Sequence, residues 1–537
     1  GVSAASWDPE LNWHTLSTPH FNITFHNGEV QLATELAETS EDIWALLTED
    51  MQTFPERPTE IVLVDNTDIA NGYAMTLPVN TIVIYVTAPT EGSSLGLYED
   101  WLQAITTHEY SHILHLDTVE GIPKLLRSVF GRIMGTNLMS PWWIVEGQAT
   151  YQETRFTTGG RGRAPSAQMI IRMAMLEDKF LTLGEMDGWS SDLPAGNTRY
   201  LFGQSFLQYI ADNTTEDVWT RWNHTYGGGF PYVLPAERVF GQSFDELYSG
   251  WTLHLSELFS AVQEQLEVEG LSEFQIISDG ESSCSAPTFS PDGERLVYSC
   301  YSMATGGNIF LASSDGTEAR VHLEGITAKS FSWRPDSSGY VYGAPHSVGL
   351  YNSFYDVYSA HVDGDSPRAM TSGSRMRDPE LSPNGSELLM VNNEVQNNNL
   401  HRMRIDQTTT ELTSYTDHTQ FSTPRYSPNG EFIAVSAWHN AFRDIWIQTK
   451  DGDIWRNLTN DRHLDTSPSF SPDGETLYFS SERSGIPNIY AVDLNTEELW
   501  RVTNVLGGAF QPDVSADGQT LAFQSFTTNG HDIALMP

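Results

Sequence analysis

The second half of the chain repeats one short phrase, in which an apolar residue is followed by a polar, proline-containing turn that ends in glycine. Proline presets such a turn, Asp or Asn is tolerated at its centre, and glycine suits the position that needs a positive φ. An alternating apolar strand follows each turn, for example at residues 432–436 and 476–480. Consecutive terminal glycines lie 46, 46, 45, 44 and 44 residues apart: Gly293, Gly339, Gly385, Gly430, Gly474 and Gly518. Four short strands in a period of about 45 residues are typical of β-propeller blades, so the sequence predicts six blades.

The two ends of this repeat region indicate how the ring of blades closes. The last copy stops after its third strand, at residues 532–536, and an unpaired strand at residues 274–278 precedes the first copy. We therefore expect the early strand to complete the last blade, which hides both sheet edges. The repeats resemble the PD40/WD40-like blades of the periplasmic protein TolB. That resemblance implies a six-bladed TolB-like propeller over residues 269–537, which would dock or gate substrates or bind a protein partner.

The only two cysteines of the chain are Cys284 and Cys300, and each lies eight residues from Asp292 in the first turn. A hairpin around that turn places them opposite each other, where a disulfide can form. A disulfide here indicates an oxidising compartment.

The charge balance excludes some classes of function. The chain has 28 Lys and Arg against 70 Asp and Glu, a net charge of −42, which argues against a nucleic-acid partner because phosphate contacts need clustered cations. No apolar run approaches the roughly 20 residues of a transmembrane helix. The chain begins at Gly1 rather than Met, so we expect a mature, exported protein whose signal peptide has been removed, in a periplasmic or extracellular location.

The first half contains His108-Glu109-x-x-His112 in a segment with helical apolar spacing. Residues i and i+4 share one helix face, so both histidines can direct a ring nitrogen at one ion. Glu109 is turned about 100° away, where a carboxylate can act as a base on a zinc-bound water. His115 lies too far along the helix for the same ion, and we expect it beside the site or in the core. A catalytic zinc site needs a third ligand from elsewhere in the chain.

Downstream, Trp143-x-x-Glu146-Gly147-x-Ala149 resembles the third-ligand helix of gluzincins, the HExxH…E metallopeptidases that include the M1-type aminopeptidases. By this resemblance His108, His112 and Glu146 are ligands of a Zn²⁺ cofactor, and Glu109 is the general base. The resemblance covers roughly residues 15–215 and implies a thermolysin-like domain.

A second stretch, Arg199-Tyr200-x-x-Gly203, resembles the tyrosine helix of M1-like and peptidase MA-like domains. There the tyrosine hydroxyl stabilises the oxyanion of the tetrahedral intermediate, so Tyr200 is the candidate for this role. Tyr151 is the alternative, and a tyrosine that merely caps a core helix is the structural alternative.

The chain also departs from the M1 pattern. The marker that holds a substrate's free N-terminus in aminopeptidases is missing, and residues 122–135 form an apolar, cationic insert. We interpret the insert as a packed helix; the alternatives are a lid, a surface for the substrate's carboxylate and a helix that touches a membrane.

Together these patterns predict a multidomain α+β protein, with a gluzincin domain at residues 1–268 and a six-bladed propeller at residues 269–537. The predicted function is zinc-dependent hydrolysis of peptide or protein substrates. Two alternatives remain: an M1-like aminopeptidase, and a non-catalytic propeller scaffold with a structural zinc site.

Overall fold

A computed structural model describes residues 8–93, 95–132, 135–188, 195–229, 236–364, 366–395, 397–404 and 407–537. The chain divides into two compact units. The first comprises the residues up to Pro89 together with Ser93–Ala261, and the second comprises Thr90–Gly92 and Val262–Pro537. The predicted domain boundary after residue 268 stays a prediction. In the part of the chain that is described, no helix is both long and apolar enough to span a bilayer.

The first unit contains one five-stranded mixed sheet with the strand order β1-β2-β3-β5-β4. Its inner pairs, β2 with β3 and β3 with β5, are parallel, whereas β1 and β4 are antiparallel edge strands. Phe21, Ile23 and Phe25 alternate into the core along β2, which is the period-two burial of a strand with one covered face. The strands are β1 (Trp13–Ser17), β2 (Phe21–His26), β3 (Thr59–Val64), β4 (Gly72–Met75) and β5 (Thr81–Tyr85).

Ten α-helices follow or interrupt this sheet among the described residues: α1 (Val30–Met51), α2 (Trp101–Asp117), α3 (Gly121–Phe130), α4 (Trp142–Phe156), α5 (Pro165–Leu176), α6 (Leu183–Asp187), α7 (Thr198–Asp212), α8 (Val218–Gly227), α9 (Ala236–Phe240) and α10 (Phe244–Glu269). Helix α2 carries the HExxH motif and begins after Asp100, whose side chain accepts a hydrogen bond from the backbone N–H of Gln103. This N-cap fixes the start of the helix.

Helices α4 and α7 touch at two glycines. A Cβ added to Gly147 on α4 would lie 2.6 Å from the carbonyl carbon of Gly203 on α7, closer than any side chain tolerates. Glu146 directly precedes Gly147, and Tyr200 lies one turn before Gly203. The close glycine contact therefore brings these two predicted site residues towards the same place.

One prediction for this unit is wrong. Residues 122–135 were expected to form a packed helix, and a helix does form there, but none of the residues of α3 is buried. Residues 133 and 134 of this insert lie outside the described residues.

The second unit is a β-propeller-like domain in which the described strands form six groups of four, each group antiparallel. The third and fourth groups are joined by a single parallel bridge between Asn398 and Gln420. In the last group, β29 pairs with β6, so the strand that precedes the first repeat completes the last blade, as predicted.

The strands of this unit, in chain order, are β6 (Gln275–Ile276), β7 (Ser283–Phe289), β8 (Arg295–Ser302), β9 (Gly306–Ser313), β10 (Arg320–Glu324), β11 (Phe331–Trp333), β12 (Gly339–Val348), β13 (Asn352–His361), β14 (Arg368–Ala369), β15 (Met376–Leu381), β16 (Glu387–Asn393), β17 (Asn398–Arg404), β18 (Thr409–Glu411), β19 (Gln420–Tyr426), β20 (Phe432–His439), β21 (Phe442–Thr449), β22 (Ile454–Asn457), β23 (Asp465–Phe470), β24 (Thr476–Ser481), β25 (Asn488–Asp493), β26 (Leu499–Arg501), β27 (Ala509–Val514), β28 (Leu521–Thr527) and β29 (Gly530–Met536).

Five of the six repeated turns have one geometry, with glycine at a positive φ. In the first, the Ser290 hydroxyl donates to the Asp292 carboxylate and accepts from the backbone N–H of Arg295, while Gly293 has φ +73°. The second turn differs from the sequence interpretation. There Ser337, with φ 55°, occupies the left-handed position, and Gly339 opens the next strand.

The predicted disulfide is present between Cys284 and Cys300. The two residues are direct partners across the antiparallel pair β7–β8, and their Cα atoms are 3.9 Å apart. The hairpin around the first turn therefore brings them together as expected.

Candidate metal centre

Three buried side chains converge between helices α2 and α4. His108 and His112 lie one turn apart on α2, and Glu146 lies on α4. One ligand atom from each of the three lies within 4.8 Å of the other two. The Nε2 atoms of His108 and His112 are 3.6 Å and 3.1 Å from Oε2 of Glu146. The structure thus brings together the three residues that the sequence predicts as ligands.

The chemistry of this set fits a divalent zinc ion. Two imidazole nitrogens and one carboxylate oxygen are the ligand types of a catalytic zinc site with a free fourth position. Oε2 of Glu146 is buried and accepts no hydrogen bond, which is typical of a carboxylate oxygen that coordinates a metal ion. Burial raises the pKa of Glu146, but the charges of His112 and His108 outweigh it and hold the pKa well below its usual range.

Glu109 lies next to the three converging side chains and beneath the edge strand β4. A Cβ added to Gly72 would lie 3.2 Å from Oε1 of Glu109, so only a residue without a side chain lets β4 pass this close. Burial, assisted by the charge of Glu146, raises the pKa of Glu109 to about 7. A carboxyl with a pKa near neutrality is suited to accept and return a proton.

Tyr200, at the start of α7, is the fifth predicted residue and lies beside the others. Its ring stacks on the imidazole of His108, with 5.9 Å between ring centroids. Burial and the charge of Glu146 raise its pKa, so the hydroxyl keeps its proton and can donate a hydrogen bond. Tyr151, the alternative, instead belongs to the hydrophobic core of the unit.

Two residues beside the candidate site, Glu153 and Arg161, are not among those predicted from the sequence. Oε2 of Glu153 is 3.1 Å from Nδ1 of His108, and Arg161 donates to the same oxygen through Nη2 at 2.8 Å. The Arg161 guanidinium also lies over the Tyr200 ring, 4.7 Å from its centroid. Glu153 is seven residues after Glu146 on α4, a spacing that places both on one helix face and was the available signal. Arg161 follows a glycine pair in a short 3₁₀ turn and has no comparable signal.

His115 is buried one turn beyond His112, and neither ring nitrogen has a hydrogen-bond partner. Burial, with a contribution from the charge of His112, lowers its pKa to about 3, so the ring is neutral. The structure places His115 in the core, one of the two predicted locations.

A second group of acids, Asp444, Asp461 and Asp465, lies in the second unit. The side chains of this group contact other residues of the propeller blades. The Thr459 hydroxyl donates to Asp444 at 3.2 Å, and Arg483 donates to Asp465 at 2.9 Å. Burial and the charge of Asp465 raise the pKa of Asp444 to about 7.

Two other blades have an asparagine where Asp444 lies, and Asp444→Asn is therefore expected to stabilise the protein at high pH. Asn399 accepts from Thr413 at 3.0 Å and Asn488 from Thr503 at 2.9 Å, so an amide oxygen serves equally well. The pKa of Asp444 in the folded protein lies above the ordinary value of 3.8 for an aspartate. The carboxylate therefore does not destabilise the fold below pH 4, destabilises it increasingly between pH 4 and 7, and has a constant effect above pH 7. Because solvent screening reduces the effect of such a pKa shift, we expect a gain of about 1–2 kcal/mol above pH 7.

Thermal unfolding with a chelator present, at pH 4.5, 6 and 8, measures this difference. The reverse change, Asn488→Asp, is the matched control and should destabilise the protein over the same pH range. A gain from Asp444→Asn that does not change with pH would contradict the prediction.

Comparison with known proteins assigns only the C-terminal part. Residues 412–537 match the family model described as the TolB beta propeller domain. A search of curated proteins finds no match. Three similar solved structures are a protein described as TolB from Agrobacterium tumefaciens (20% identity, 49% of this chain and 94% of that chain, TM-score 0.40), TolB from Acinetobacter baumannii (18%, 48% and 65%, 0.36) and a gluconolactonase from Xanthomonas campestris (14%, 50% and 90%, 0.39).

The family match does not extend to the residues of the candidate metal centre. The C-terminal domain is a TolB-like β-propeller domain.

Proposed function

We propose that this protein is a zinc-dependent metallopeptidase of the gluzincin type, with a thermolysin-like N-terminal domain. The observation that carries the proposal is the convergence of His108, His112 and Glu146, with Glu109 and Tyr200 beside them. A structural zinc site requires neither an adjacent buried carboxyl such as Glu109 nor a tyrosine hydroxyl.

In this proposal His108, His112 and Glu146 hold the zinc, which when bound supplies Lewis-acid polarisation of the scissile carbonyl and lowers the pKa of water. Glu109 takes a proton from the attacking water and transfers it to the leaving amine. Tyr200 donates a hydrogen bond to the carbonyl oxygen as negative charge develops on it. The edge strand β4 passes over Glu109, where it can pair with an extended substrate backbone.

The propeller is proposed to gate or dock the peptide or protein substrate, or to bind a protein partner. An exported location, periplasmic or extracellular, is compatible with the Cys284–Cys300 disulfide and with the TolB-like propeller. Nucleic acid is not proposed as a partner, because the net charge is −42.

Metal removal tests the proposal. A mixed peptide library is digested with zinc-loaded protein, with protein stripped by a chelator, and with stripped protein supplied with Zn²⁺, and the cleavage sites are mapped by mass spectrometry. We expect cleavage to be lost on stripping and restored by Zn²⁺. Cuts within peptides would indicate an endopeptidase, and stepwise removal of N-terminal residues would indicate the aminopeptidase alternative. Zinc-loaded protein that cleaves nothing would favour the non-catalytic propeller scaffold.

A further inference from the structure

Helix α3 exposes nearly all of its apolar side chains. The five that form this surface, here called the α3 face, are each 41–67% exposed: Ile122, Leu125, Leu126, Val129 and Phe130. At about 100° per residue these positions fall within an arc of about 140°, with Lys124 and Arg127 outside it. The helix is therefore amphipathic, and its apolar side is the side that remains uncovered.

Polar contacts hold the opposite side of this segment against the protein. Arg127 donates to the backbone oxygen of Asp117 at 3.0 Å and to its carboxylate at 2.5 Å. Arg132, just beyond the helix, donates to the same carboxylate at 2.8 Å. The usual orientation of a surface helix, apolar side inward, is thus reversed, and two arginine contacts keep it reversed.

Both ends of the segment are also anchored at one place. The backbone N–H of Glu120 and the hydroxyl of Thr136 both donate to the backbone oxygen of Gly227, at 3.0 Å and 2.7 Å. Leu138 and Met139 lie two and three residues after Thr136 and are 41% and 57% exposed, so they add apolar surface near the start of α3.

We propose that the α3 face inserts shallowly into the surface of an anionic phospholipid membrane. Residues 117–136 contain Lys124, Arg127 and Arg132 against Asp117 and Glu120, so this segment is net cationic in a chain whose net charge is −42. Lys124 pairs with Glu120 at 3.7 Å and is 66% exposed, while Arg127 and Arg132 share the one carboxylate of Asp117. An exposed apolar face on a helix whose other side is cationic is the pattern of a helix that lies in the membrane interface. The positive charge of this segment is attracted to anionic headgroups. The headgroups repel the acidic surface elsewhere on the chain, so this segment is the part that approaches the membrane.

The same observations disfavour an apolar peptide as the occupant. A peptide partner would need a groove, whereas the α3 face is the surface of a single helix in which no residue is buried.

Flotation of the full chain with vesicles, in 150 mM NaCl, tests the proposal. The vesicles contain phosphatidylcholine alone or with 30% phosphatidylglycerol. The test variant is the double change Leu125→Ser and Val129→Ser, and the control is Leu253→Ser on α10, where the leucine is 62% exposed against 64% for Leu125. We expect the wild type and the control to float with the anionic vesicles, and the double variant to lose at least tenfold in partition coefficient.

A fluorophore attached at Val129→Cys should shift to shorter wavelength with the anionic vesicles. No flotation of the wild type, equal flotation of the double variant, or equal flotation with neutral vesicles would overturn the proposal. A wild-type dimer in light scattering that the double variant abolishes would overturn it in favour of a second copy. None of these measurements depends on peptidase activity.

Discussion

Glu109→Gln is expected to bind zinc as the wild type does and to lose about 10²–10⁴-fold in kcat/KM for peptide cleavage. The amide keeps the shape of the buried side chain beneath β4 but cannot accept a proton from water. The three proposed ligands are unchanged, so the metal content should be unchanged too. Cleavage of a fluorogenic peptide, chosen from the library cuts, and the zinc content per chain together measure this separation.

The matched control is Glu49→Gln, which makes the same chemical change at an exposed position on helix α1. It should leave both cleavage and zinc content unchanged. If Glu109→Gln cleaved the peptide at the wild-type rate, the general-base role would be wrong. If metal removal also abolished that cleavage, a contaminating metal-dependent peptidase would be indicated.

The features that the sequence predicted are those that depend on neighbours close along the chain. The blade turns recur because each is closed by its own serine and acid, as Ser290 and Asp292 show. The HExxH helix and the Glu146 helix are likewise readable from short spacings. Ser337 shows the limit of such interpretation, because a serine took the left-handed position and the nearby glycine misled the alignment of that turn.

The features that the sequence did not predict depend on contacts between distant segments. The apolar pattern of α3 predicts a helix, but which side faces the protein is decided by Asp117, which binds Arg127 and Arg132. Arg161 reaches His108 across 53 positions of sequence, and no local pattern marks it.

The second large effect is expected from Glu153 and Arg161, which position His108. Nδ1 of His108 lies within hydrogen-bond distance of both side chains and cannot donate to Glu153 and accept from Arg161 at once. A metal on Nε2 requires the proton on Nδ1, which is the form that donates to a carboxylate. Burial raises the pKa of Glu153, but Arg161 outweighs it and lowers the pKa to about 2, so the carboxylate is present at all working pH values.

Glu153→Gln and Arg161→Met are each expected to lose 10–100-fold in zinc affinity. Each change also leaves a buried charge without its partner, which should lower the free energy of unfolding by about 3–5 kcal/mol. Zinc titration of the folded protein measures the affinity, and denaturant unfolding of the metal-free protein measures the stability.

The double variant separates positioning from support of the fold. With both charges removed, no unpaired charge stays buried, so most of the lost stability should return. The zinc affinity should not return, because no carboxylate is left to hold the proton on Nδ1 of His108. A double variant that recovers both quantities would show that Glu153 and Arg161 serve only the fold. Recovery of stability alone would show that Glu153 and Arg161 set the protonation of the His108 ring. Metal binding depends on the form that carries its proton on Nδ1.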